Sequence, residues 1–132
     1  MTVGFEFNNK TGVISFNGIP ITSETATVTT TDATVTALFT KAIDASTARV
    51  FTVKVAARDS GDTLRSGYRR TTLVHRLGAG GAVLGIVQDD FTDESDIALD
   101  CSFDVTGNDL RVIVTGKAAT NIIWNGSLTS TK

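Results

Sequence analysis

Few residues in this sequence are of types that perform catalysis, and their spacing does not assemble a reaction site. His75 is the only histidine and lies between Val74 and Arg76 in an extended stretch. A Ser/His/Asp triad around it is compatible with the composition, but no nucleophile-elbow sequence is present. Cys101 is the only cysteine, and it falls on the apolar face of an alternating segment. That position is typical of a small buried hydrophobe rather than of a nucleophile. We therefore predict no catalytic residues and no enzyme activity.

Metal and cofactor sites are also weakly supported. One cysteine and one histidine cannot make a structural zinc site. The acids of segment 89–96 could offer oxygen ligands to calcium, but the spacing and the glycine of an EF-hand are missing. We expect a solvated acidic loop there, with cation binding left open. Segment 78–81 (Gly-Ala-Gly-Gly) lacks both the dinucleotide fingerprint and the Gly-Lys-Ser/Thr ending of a P-loop, so it is interpreted as a flexible turn. We predict neither a cofactor nor a metal ion.

The composition excludes several broad functions. The chain has 132 residues, of which 41% are hydrophobic and 20% charged, as expected for one globular domain. A net charge of −2 gives no general attraction to nucleic acid or to an anionic membrane. There is no apolar run long enough to span a bilayer and no evident secretion signal. We expect a protein made in the cytosol, binding neither nucleic acid nor membrane.

Hydrophobic alternation predicts an all-β fold. The best segment is 97–105, in which every second residue from Ile97 to Val105 is apolar, a period of two that a helix cannot use. A turn at 106–109 and an apolar return at 110–114 follow, and a last strand carries Ile122, Trp124 and Leu128. Several short strands separated by turns predict an antiparallel β-sandwich, jelly-roll-like.

The N-terminal residues predict a separate β-hairpin. Phe5 and Phe7 alternate with polar residues before a turn-forming stretch, and the chain then returns to Phe16. We interpret residues 1–20 as an arm and 21–132 as the sandwich body, with an edge strand at 24–31. A bare hairpin is marginally stable, so its phenylalanines must pack on a surface. That surface is either a docking partner or the core of this domain.

Charges are unevenly distributed along the chain. Arginines cluster between positions 58 and 76, and acids between 89 and 104. Because the guanidinium group suits bidentate carboxylate contacts, one hypothesis places Arg69 and Arg70 of one copy against Asp90 and Asp93 of a neighbour. The alternatives are that both segments lie side by side in one sheet, or that they are solvated.

The C-terminal two-thirds contains four patterned segments of strands and turns, at 83–92, 99–105, 107–116 and 122–124. In this order they resemble a β-domain found in structural proteins of tailed bacteriophages, and the resemblance covers about residues 48–128. Such domains occur on virions as capsid decoration (cement) proteins, head fibres, or parts of tail fibres and tailspikes, often as homotrimers. The resemblance implies no catalytic residue. It implies a virion structural protein whose partner is the major capsid protein or another virion protein.

Two functions follow as expectations. The first is a decoration protein that docks on the outer shell as an oligomer through the hairpin phenylalanines. The alternative is a receptor- or glycan-binding module of a tail fibre or tailspike. That alternative needs exposed aromatic side chains, and the only Trp and Tyr, Trp124 and Tyr68, lie in strand-like contexts.

Overall fold

The described part of the chain is built from β-strands. A computed structural model describes residues 5–8, 13–16 and 19–131, with side chains described for 23–131. Within those residues, no helix is long and apolar enough to cross a membrane. The strands, in chain order, are β1 (Phe5–Asn8), β2 (Val13–Phe16), β3 (Ile19–Thr30), β4 (Val35–Ala42), β5 (Thr47–Asp59), β6 (Arg65–Arg76), β7 (Val83–Glu94), β8 (Asp100–Thr106), β9 (Asp109–Thr115) and β10 (Ile122–Ser130).

The strands form two antiparallel sheets. The large sheet has the order β1-β2-β3-β10-β5-β6-β7, and the small sheet has the order β4-β9-β8. The sheets pack against each other through their apolar faces, which is the arrangement of a β-sandwich. The predicted all-β antiparallel sandwich is confirmed.

Alternation along the central strands fills the space between the sheets. Phe51 and Val53 of β5 are fully buried, whereas Lys54 is exposed on the other face of the same strand. From the small sheet, Val112 and Val114 of β9 are also fully buried. Because successive side chains of a strand point to opposite faces, the large sheet has one face in the core and one outer face. The outer face carries the candidate site.

The N-terminal hairpin continues the large sheet beyond the body. β1 pairs with β2, with Phe5 opposite Phe16 and Phe7 opposite Ile14, so the predicted hairpin pairing is present. β2 pairs with residues 19–22 of β3, and β10 pairs with residues 22–30. The predicted boundary at residue 20 therefore falls inside a continuous strand. The side chains of Phe5, Phe7 and Phe16 lie outside the described residues.

Two local predictions were wrong. The strand predicted for 97–105 begins at Asp100, and Ile97 is 95% exposed. The Asp96 side chain accepts a hydrogen bond from the backbone of Ala98, and its carbonyl accepts one from Leu99, so a turn replaces the first third of the predicted strand. The acidic segment predicted as a loop is strand through Glu94.

Candidate functional site

The two residues considered for catalysis lie on opposite sides of the large sheet. His75 is half-buried on the outer face, opposite Ala48 and Val83 on the neighbouring strands. Cys101 is fully buried between the sheets, where desolvation raises the pKa of its thiol to about 12. A thiol with such a pKa is protonated at neutral pH, and no histidine reaches it through the sheet. The pair cannot work as nucleophile and base.

The acidic segment is dispersed among different partners. Asp89 contacts Arg70, Asp93 lies 3.8 Å from Arg65, and Asp96 lies 2.6 Å from Lys117. Across the residues with described side chains, no three His, Cys, Asp or Glu side chains are grouped closely enough to hold a metal ion. Strand alternation separates these carboxylates, which a loop would have allowed to converge.

Arg70 contacts acids of its own chain. Its guanidinium is buried and lies 2.6 Å from the Asp89 carboxylate and 3.9 Å from that of Asp100. It also donates to the carbonyl of Cys101 at 3.0 Å and lies over the Tyr68 ring at 5.1 Å. These contacts join β6, β7 and β8. The hypothesis placed Arg70 against acids of a neighbouring copy, whereas Arg70 contacts acids within its own copy. Contacts of Arg69, Asp90 and Asp93 with a second chain stay a prediction.

A β-bulge in β7 creates the main feature of the outer face. Arg70 pairs with Asp89 and Arg69 pairs with Phe91, which leaves Asp90 as the extra residue. Asp89 consequently turns inward to Arg70, while Asp90 accepts a hydrogen bond from the outer-face hydroxyl of Thr71 at 2.6 Å. The Phe91 ring comes to lie on the outer face over Gly67, where an added Cβ would be 3.3 Å from the ring. The Phe91 ring can lie there because Gly67 has no side chain.

Beside Phe91 the outer face forms an open depression of about 780 Å³, which we call the outer-face trough. Ala56 and Gly67 are register partners with little or no side chain, so they lower its floor. Phe91 is 54% exposed at one wall. Its polar rim consists of Thr25, Thr27, Lys54, Arg69, Asp90, Asn125 and Ser127. Apolar and hydrogen-bonding groups therefore meet in one concave surface of the size that binds small ligands.

Comparisons with known proteins find the fold but no sequence relative. No protein-family model and no curated protein matches this chain. Among solved structures, the fold is similar to part of the tailspike protein of Acinetobacter baumannii phage AM24, with a TM-score of 0.54 and 7% sequence identity. The match covers 84% of this chain and 26% of that one, so the chain spans about a quarter of the tailspike's length.

A second solved structure shows a weaker likeness. It is the tailspike gp49 of Acinetobacter baumannii bacteriophage Fri1, a capsular polysaccharide depolymerase, with a TM-score of 0.48 and 7% identity. The match covers 98% of this chain and 21% of the other.

The two aromatic residues considered for ligand binding lie in the core. Trp124 is fully buried and Tyr68 is 2% exposed; their rings stack in the core, 6.4 Å apart. Within residues 23–131, the exposed aromatic is Phe91, which sequence reasoning missed. A phenylalanine after two aspartates gave no signal of its orientation, because the bulge that turns it outward depends on pairing with β6. Of the predicted interface residues, Arg69 and Asp90 lie at the trough.

Proposed function

We propose that this chain is a non-catalytic domain of a bacteriophage tailspike or tail fibre that binds a host-surface glycan in the outer-face trough. The observation that carries the proposal is the exposed Phe91 ring, held over Gly67 beside hydroxyl and amide side chains. Sugars offer C–H faces that pack on an aromatic ring and hydroxyl groups that pair with Asn, Ser and Thr. The trough presents both kinds of group to one ligand.

The fold comparison supports a phage assignment of the tailspike type. The similarity to the AM24 tailspike, with a TM-score of 0.54, supports this reading over capsid decoration. Because the chain matches about a quarter of that protein, we propose a module of a larger assembly rather than its whole activity. A homotrimer and attachment to another virion protein through the N-terminal hairpin remain predictions.

A panel of purified bacterial capsular polysaccharides and O-antigens, neutral and acidic, tests glycan binding. We expect the full chain to bind at least one member and Phe91→Ala to lose that binding, because the ring supplies the apolar wall. Ile97→Ala is the matched control, since it removes an exposed apolar side chain that does not line the trough. Failure to bind any glycan, or unchanged binding by Phe91→Ala, would refute the proposal.

A further inference from the structure

Two cationic side chains at the outer-face trough differ from the other described lysines and arginines in their lack of polar partners. Lys54 and Arg69 have no hydrogen-bonding or ion-pair partner among the described residues. Every other lysine and arginine within residues 23–131 donates a hydrogen bond or forms an ion pair in this chain. Both unpaired cations line the trough. Among the described residues, the cations without a polar partner therefore all lie at one site.

Lys54 and Arg69 also lie directly opposite each other on neighbouring strands. Lys54 of β5 is the register partner of Arg69 of β6, and both are exposed on the outer face. Directly opposed residues on one face of antiparallel strands have Cβ atoms about 5 Å apart, and like charges there are destabilising. Among the described residues, Asp90 forms no ion pair with either cation; its carboxylate accepts a hydrogen bond from the hydroxyl of Thr71. An unfavourable pair of cations placed beside an exposed aromatic ring indicates a negatively charged ligand.

We propose that the outer-face trough recognises an acidic saccharide, whose uronic carboxylate binds between Lys54 and Arg69. This rests on the proposed glycan binding and names its chemical class. The guanidinium fork can hold both oxygens of a carboxylate while the ammonium group contacts one of them. The uronate ring then lies towards Phe91, and a neighbouring sugar of the same chain places its hydroxyls at Asn125 and Ser127, on the opposite wall.

The test compares a glucuronate-containing capsular polysaccharide with the same polymer after its carboxyl groups are reduced to primary alcohols. We expect the full chain to bind the native polymer about 10-fold more tightly than the reduced one, as for loss of a charge-assisted hydrogen bond. Binding of the native polymer should weaken as salt is raised. Lys54→Gln and Arg69→Gln should each reduce that affinity about 10-fold and leave the reduced polymer unaffected.

Arg58→Gln is the matched control, because Arg58 lies on the same face of β5 but pairs with Asp62 outside the trough. It should bind like the unaltered chain. Equal affinity for native and reduced polymers, or unchanged binding by the two trough variants, would overturn the acidic-saccharide proposal. A chain that binds neutral glycans through Phe91 would then still satisfy the proposed function. A chain that binds no glycan at all refutes the proposed function itself.

Discussion

The guanidinium of Arg70 donates a 2.6 Å hydrogen bond to the carboxylate of Asp89 on the neighbouring strand. The same side chain donates to the carbonyl of Cys101 in the small sheet. Arg70 therefore links β6 and β7 of the large sheet to β8 of the small sheet. Its sequence neighbour Arg69 points the other way, to the outer face.

This opposition predicts different effects for two adjacent substitutions. Arg70→Met removes the donor to the buried Cys101 carbonyl and leaves the Asp89 carboxylate with only the hydroxyl of Thr92, so we expect the free energy of unfolding to fall by about 1–3 kcal/mol. Arg69→Met removes an exposed, unpaired cation and should change it by less than about 0.5 kcal/mol. Urea denaturation of the two variants measures both values. Similar stability of the two variants would contradict the structure.

The buried Trp124 indole donates a 2.9 Å hydrogen bond to the hydroxyl of Thr30. Thr30→Val keeps the shape of the side chain but leaves that N–H unpaired in the core, which should cost about 1–3 kcal/mol. Thr29→Val, at the exposed neighbouring position, is the control and should be close to neutral. Trp124 is the only tryptophan, so its fluorescence follows unfolding in both variants. Equal midpoints would show that the hydrogen bond contributes little.

Asp59 gives a pH-dependent contribution. Hydrogen bonds from the Leu64 backbone and from Thr63 hold its pKa below 3.8 in the folded state. A lowered folded-state pKa adds stability above the unfolded-state pKa, and that stability is lost as the pH falls through the folded-state pKa. We expect the free energy of unfolding to fall between about pH 5 and pH 2, and to fall less in Asp59→Asn. Asp62→Asn should keep the steeper fall of the unaltered chain; matching slopes for all three would exclude this role.

Cys101 is expected to be chemically silent until the protein unfolds. Its thiol is fully buried, and burial raises its pKa to about 12, so little thiolate forms near about pH 8. Ellman's reagent should label it slowly in buffer and fully in denaturing urea. Rapid labelling of the folded chain would show that the two sheets open readily at β8.

Deletion of residues 1–18 tests the arm. β2 pairs with β1 and with residues 19–22 of β3, and the described apolar core lies within residues 26–128. We expect the shortened chain to retain cooperative unfolding and the signal of buried Trp124. Co-sedimentation with purified virions should be lost, because the predicted docking element is gone. Loss of folding would instead assign the hairpin phenylalanines to the core.

The sequence by itself determined the class of fold and most of the core. Apolar residues at alternate positions of β5, β9 and β10 predict strands with one buried face, and local turn residues separate them. These signals are local, so they survive without knowledge of the partner strands. They failed at Ile97, where the Asp96 carboxylate accepts a hydrogen bond from the backbone N–H of Ala98 and a turn forms instead.

Tertiary structure alone decided where the candidate site lies. Phe91 and Asp90 reach the outer face because β7 bulges against β6, and Lys54 meets Arg69 because β5 and β6 pair in one particular register. Alternation gives the face of a residue relative to its own strand, but not its cross-strand neighbours. For that reason the sequence shows the clusters of arginines and acids along the chain, but it does not show that Arg70 is buried and Arg69 exposed.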